Sequence, residues 1–247
     1  MFTLSKSFAL LAALLIHVQL HFYLAGAAPT QARQPPHVTT GTACDVSTAS
    51  IDTSGTTLPA PSFTPSFIGL GVGTQNYTCG SAGTYTSTGA LADLFDVSCL
   101  VGQSSFATLQ STAFAAWNSS TSTSVSSTSD VLSSAGVLSS PITLGQHYFI
   151  TNPVTGSGLS PKWDFTSNAL AGNADAFVVA TKVDDVAAPT GSADVDWLYL
   201  TNLTGTLANE VYRIDTQGGQ PPASCTAGSA DITVKYTSMY WLTGGSF

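Results

Sequence analysis

Charge is what this sequence has least of. Only 8% of its 247 residues are Asp, Glu, Lys or Arg, against about 25% in an ordinary soluble domain. Cations are the scarcer sign: six Lys and Arg face fourteen Asp and Glu, for a formal net charge of −8. No basic patch exists to release phosphate counterions, which excludes a nucleic-acid partner. The same deficit argues against an anionic membrane surface. Histidine is scarce as well. Of four, His17 and His21 fall in the N-terminal apolar segment, leaving His37 and His147. The four cysteines form no C-x-x-C pair, which argues against a zinc knuckle or a dithiol redox centre. Gly102-Gln-Ser-Ser-Phe106 fails the G-x-S-x-G pattern of a hydrolase elbow. No EF-hand-like spacing surrounds Asp184-Asp185.

What is present is apolar and hydroxylic. Hydrophobic residues make up 43% of the chain, enough for a real core. The first residues, Met1 to Lys6, carry one cation and lead into an apolar run from Phe8 to Ile16, with Ala25-Gly26-Ala27 beyond. This is the pattern of a secretory signal peptide over residues 1–27. The rival is an uncleaved anchor, since residues 8–28 reach the roughly 20 residues a span needs. His17, Gln19 and His21 interrupt that stretch. The C-terminal Leu242–Phe247 lacks the apolar tail of a lipid-anchor signal. The expected location is therefore extracellular, with no membrane association after cleavage. An oxidising compartment turns Cys44, Cys79, Cys99 and Cys225 into two expected disulfides, with three pairings open. The sequons at Asn76, Asn118 and Asn202 suit the same address.

Residues 28–65 are rich in Pro, Thr and Ser and read as a loose arm. Residues 66–247 read as one β domain. Phe67–Cys79 and Leu94–Cys99 are strand candidates, and Phe106, Leu109, Ala113, Phe114 and Trp117 mark one short amphipathic helix. Ser119–Ser129 is almost entirely Ser and Thr, the centre of an expected solvated insertion near residues 118–140. Further strands are expected at His147–Ile150, Lys162–Phe165, Ala176–Val183, Asp196–Thr201, Glu210–Thr216 and Asp231–Leu242. The last alternates cleanly, with Ile232, Val234, Tyr236, Tyr240 and Leu242 on one face. Turn clusters separate the strands, and no strand–helix rhythm repeats. The expected fold is all-β and mainly antiparallel: a single-domain sandwich or barrel with long loops.

Several strings are specific: Gly71-Val-Gly73-Thr-Gln75-Asn-Tyr77-Thr-Cys79, Gly145-Gln-His147-Tyr148-Phe149, Val195-Asp196-Trp197, and above all Arg213-Ile-Asp-Thr216-Gln-Gly218-Gly219-Gln-Pro221-Pro-Ala-Ser-Cys225. With them the chain resembles, from Phe67 to Trp241, a family of secreted proteins abundant in filamentous fungi, with bacterial relatives. It is catalogued as domain of unknown function three-four-five-five. The resemblance carries no mechanism and no catalytic residue. It does imply a shared Cys79–Cys225 bridge and an added Cys44–Cys99 bridge. Members are often labelled malate dehydrogenase. These residues do not support that label: Gly69-Leu-Gly71-Val-Gly73 lacks the G-x-G-x-x-G spacing, and no βαβ unit follows.

No cofactor and no metal site are expected. A catalytic reading has to use His147 with Asp164 or Asp196. A structural reading makes His147 a strand residue with one hydrogen bond. Arg213, alone in an alternating strand, reads as the partner of Asp215 or Asp196, or as an anion-binding group. Trp163 and Trp197 are core residues or a stacking surface for a ligand. Two functions follow. One is a secreted or wall-associated binding or structural module, taking a cell-wall glycan or a small ligand. The other is a secreted hydrolase of undescribed type using His147 and nearby aspartates. N-terminal sequencing of the exported protein is expected to begin within two residues of Ala28; a chain starting at Met1 overturns the signal-peptide reading.

Overall fold

The computed structural model describes residues 44–246; the expected leader and residues 28–43 lie outside the described residues. Eight strands follow one another around a closed antiparallel barrel. They are β1 (Pro65–Cys79), β2 (Tyr85–Asp96), β3 (Thr143–Thr151), β4 (Leu159–Asp164), β5 (Phe177–Val186), β6 (Trp197–Thr204), β7 (Glu210–Gly218) and β8 (Ile232–Thr243). Each pairs with its neighbour in sequence, and β1 closes onto β8 from Pro65↔Thr243 to Tyr77↔Ile232. Closure leaves no exposed sheet edge. The expected all-β class holds, and of the two architectures the barrel is the one formed.

Alternation along each strand sends one set of side chains inward and the other outward. Phe67, Ala92, Leu94, Trp163, Phe165, Val178, Leu200, Val211, Tyr240 and Leu242 form the inner cluster. Ile68, Leu70, Val72, Phe95, Tyr212, Ile214, Met239 and Trp241 face out, and they are buried too. What covers them is the excursion between β2 and β3. Helix α1 (Leu109–Ser119) lays Leu109, Ala113 and Trp117 on this outer face. The Trp117 indole donates to the Gly73 carbonyl (2.8 Å). The Lys235 ammonium caps the helix end through the carbonyls of Trp117 and Ser120 (2.8 and 2.7 Å) and lies over the Trp117 ring.

Three expectations need correction. Strand β2 starts at Tyr85, nine residues before the expected Leu94. Its first half, Tyr-Thr-Ser-Thr-Gly, is mostly solvated and gives no apolar alternation to read. The helix is not alone: the Ser/Thr-rich stretch folds into a 3-10 turn at Val125–Ser127 and enters α2 (Thr128–Ser134). Val125, Thr128 and Leu132 are its buried anchors, and the Thr128 hydroxyl donates to the Asp93 carboxylate (2.9 Å). Finally, the stretch from Cys44 to Thr64 lies against the barrel. Val46 and Leu58 are buried in the outer cluster, the Tyr212 hydroxyl donates to the Pro59 carbonyl, and Ser62 N–H donates to Glu210. The Cys44–Cys99 bridge fastens the start of this stretch, and Cys79–Cys225 ties the end of β1 to the loop between β7 and β8.

Close approach of backbones fixes one glycine. A Cβ on Gly73 would sit 2.0 Å from the Leu91 carbonyl oxygen and 2.6 Å from the Ala92 Cα. Backbone atoms cannot step aside, so Gly73→Ala is expected to cost about 3 kcal/mol. Urea unfolding measures it, and an unchanged midpoint contradicts this packing.

Candidate functional site

The inner wall is not uniformly apolar. Partners directly opposite on antiparallel strands share a face. Ala92, His147, Trp163 and Val178 therefore line up across β2 to β5. Gly69, Tyr240, Arg213 and Leu198 line up across β1, β8, β7 and β6. Gln75 and Tyr77 follow Gly73 inward along β1. The two rows meet at an aromatic stack. The His147 ring lies flat on Trp163 (centroids 4.4 Å apart, 14° between planes), with Tyr240 5.4 Å from His147 and 5.6 Å from Trp163. The Tyr240 and Tyr236 hydroxyls are 3.0 Å apart.

His147 Nδ1 lies 3.0 Å from the Lys162 carbonyl oxygen. A carbonyl only accepts, so Nδ1 carries the proton and Nε2 keeps its lone pair. Burial lowers the His147 pKa to about 3, against the opposing pull of the Lys162 carbonyl and with help from the Arg213 charge. Burial likewise raises the Tyr236 and Tyr240 hydroxyls, with the Arg213 charge opposing it. Arg213 donates from Nε and Nη2 to the Asp196 carbonyl (3.0 and 2.8 Å). The ion pairs among the described residues are Lys162–Asp164 and Lys182–Asp185, so no carboxylate pairs with this guanidinium. Two further inward donors, Gln75 Nε2 and Trp163 Nε1, are buried without a hydrogen-bond partner. Two indole nitrogens of the outer layer, on Trp197 and Trp241, share that condition. Arg213, Leu198 and Val234 face inward yet are only half-buried. In a closed barrel an inward side chain meets water through an end, which puts Arg213 near one end of the barrel.

The sequence candidates divide between the two faces. His147, Trp163 and Arg213 come together inside. Asp164 pairs with Gln146 across β3 and points outward. Its carboxylate takes the Tyr148 hydroxyl and the Lys162 ammonium at 2.7 Å. Burial alone would raise the Asp164 carboxyl; Lys162, Thr166 and Tyr148 outweigh it and hold it well below the usual range. Asp196 contributes its carbonyl to Arg213, and the expected ion pair with Asp196 or Asp215 is not formed. Trp197 belongs to the outer cluster. Among the sequons, Asn118 is exposed, Asn76 accepts from Thr74, and Asn202 spends its amide on the Gly205 and Ala208 carbonyls (2.9 and 2.6 Å). No group of three or more His, Cys, Asp or Glu able to hold a metal occurs among the described residues. Gln75, Tyr77, Tyr236 and Tyr240 escaped notice as site residues, although the alternation of β8 had already placed the last two on one face.

A family model described as "Protein of unknown function (DUF3455)" matches residues 59–244. No curated protein and no solved structure matches.

The buried imidazole sets a pH dependence. Unfolded, His147 takes a proton near pH 6.5; folded, it resists until about pH 3. Between those values the unfolded chain binds the extra proton. Stability is therefore full above pH 6.5 and falls as pH drops, by up to about 1.4 kcal/mol per pH unit. Asp164 loses its contribution only below the ordinary carboxylate range, and Asp215, raised by burial, pulls the other way near there. Urea unfolding between pH 6.5 and 4.5 is expected to show the slope in the wild type and a flattened one in His147→Gln. Equal slopes contradict the burial.

Proposed function

We propose that this chain, which belongs to the family of unknown function DUF3455, is an extracellular binding module whose ligand is a small molecule held inside the barrel. An eight-stranded barrel is just wide enough to be filled by side chains or to hold one small ligand. The reading is carried by one observation: Gln75 Nε2 and Trp163 Nε1 point into the barrel, buried and without partners. A buried donor left unpaired costs about 1–3 kcal/mol. A ligand that accepts from both donors removes that cost. The half-buried Arg213 marks the end of the barrel by which a ligand enters.

Two disulfides suit an oxidising compartment. No helix among the described residues is long and apolar enough to cross a membrane. Both features support export without locating the protein. The hydrolase reading finds less support. His147 and Asp164 sit on opposite faces of the sheet, and the bond to His147 Nδ1 comes from a carbonyl. A cell-wall glycan would need the exposed aromatic platform that Trp163 and Trp197, both buried, do not offer.

Proton–nitrogen NMR on the 15N-labelled protein tests this against phenols, phenolic acids, mono- and disaccharides, and short chitin and glucan fragments. At least one monomeric compound is expected to shift the Trp163 indole and Gln75 amide signals in a saturable way. A panel that leaves both signals unmoved overturns the reading.

A further inference from the structure

Resting on the barrel interior as a ligand site, we propose that the ligand is an aromatic carboxylate, its carboxylate held by Arg213 and its ring against the Tyr240–His147–Trp163 stack. The guanidinium carries the argument. In a chain with six Lys and Arg, this one is turned into the barrel, opposite Tyr240 and Leu198 in the strand register. Its Nε and Nη2 share one edge on the Asp196 carbonyl. That contact fixes the plane of the group but leaves its positive charge unbalanced by any carboxylate in contact. The Tyr240 hydroxyl draws on the guanidinium from beside it, and the N–H groups left over can still donate to a carboxylate.

Nearby acids do not occupy that role. Asp185 shares the Leu198 face but is paired with Lys182 at 2.7 Å. Asp196 presents its carbonyl to the guanidinium. The Asp196 charge still acts on the Tyr77 hydroxyl, which donates to the Gly219 carbonyl (2.8 Å) and so faces away from an incoming anion. The remaining groups are donors or ring faces. Tyr240 lies beside the guanidinium, Gln75 and Trp163 hold free N–H groups, and Phe149 stands half-buried above His147 at 5.5 Å. With its proton on Nδ1, His147 keeps an acceptor lone pair on Nε2. A ring hydroxyl on the ligand matches it.

Calorimetric titration of the full secreted chain compares 4-hydroxycinnamate, its methyl ester and galacturonate, with the Trp163 indole signal followed in parallel. The acid is expected to bind at least about tenfold tighter than the ester, the worth of one charge-assisted pair. Galacturonate, which has the charge without the ring, is expected to bind at least about tenfold more weakly than 4-hydroxycinnamate. Arg213→Gln is expected to abolish the preference for acid over ester. Should that variant fail to fold, the wild-type comparison decides alone. Acid and ester binding equally, both shifting Trp163, overturn the carboxylate while leaving the binding module intact. Galacturonate binding as tightly as the acid overturns the aromatic ring. No shift of Trp163 by any compound fails the binding module itself, and this proposal with it.

Discussion

Closure of the eight strands is the constraint from which the rest follows. Once β1 pairs with β8, every strand residue is committed to the inside or the outside of the barrel, and over β1, β7 and β8 neither side is bulk water. Inside, side chains meet each other. Outside, the strap from Cys44 and the helical excursion cover Ile68, Leu70, Val72 and Met239. An antiparallel sheet ordinarily leaves one face wet. Here the paired faces of β1, β7 and β8 are both dry. That explains why β1 reads as an almost unbroken buried run, including Thr74 and Gln75.

The outer layer is held by polar contacts as much as by apolar ones. Trp117 reaches through to the Gly73 carbonyl, Thr237 donates to the Gln110 carbonyl, and Lys235 binds the end of α1. Glu210, the only glutamate, gathers Ser62, Tyr199 and Thr243 where the strap crosses the start of β7. A buried carboxylate with three donors is a fixed point rather than a reagent. The sparse charge is placed where it ties layers together.

Much of the fold was legible because alternation is a local signal. Residues 232–242 announce their two faces, and the turn clusters mark most strand boundaries. The first half of β2 was not legible, since Thr86, Ser87 and Thr88 are solvated and carry no apolar rhythm. Val125 and Thr128, anchors inside a Ser/Thr run, were hidden by composition. The site was harder still. His147, Trp163 and Arg213 were visible as candidates, but each pairing that brings them together spans a different hairpin. Gln75 gave no signal, because a buried amide without a partner is a property of the packing and not of the local sequence.

The face rule also decides between chemistries. Bringing Asp164 beside His147 requires β4 to slip by one residue. A one-residue slip inverts every side chain of the strand. Trp163 would turn out into solvent, and Lys162, now paired with Asp164 and lying over the Phe177 ring, would turn into the barrel. The slip would undo the His147–Trp163 stack and bury an ammonium in its place. An imidazole held neutral with its one proton on a carbonyl has no base to orient it and no acid to receive from it. The same imidazole is well suited to a wall: flat, uncharged and stacked on Trp163.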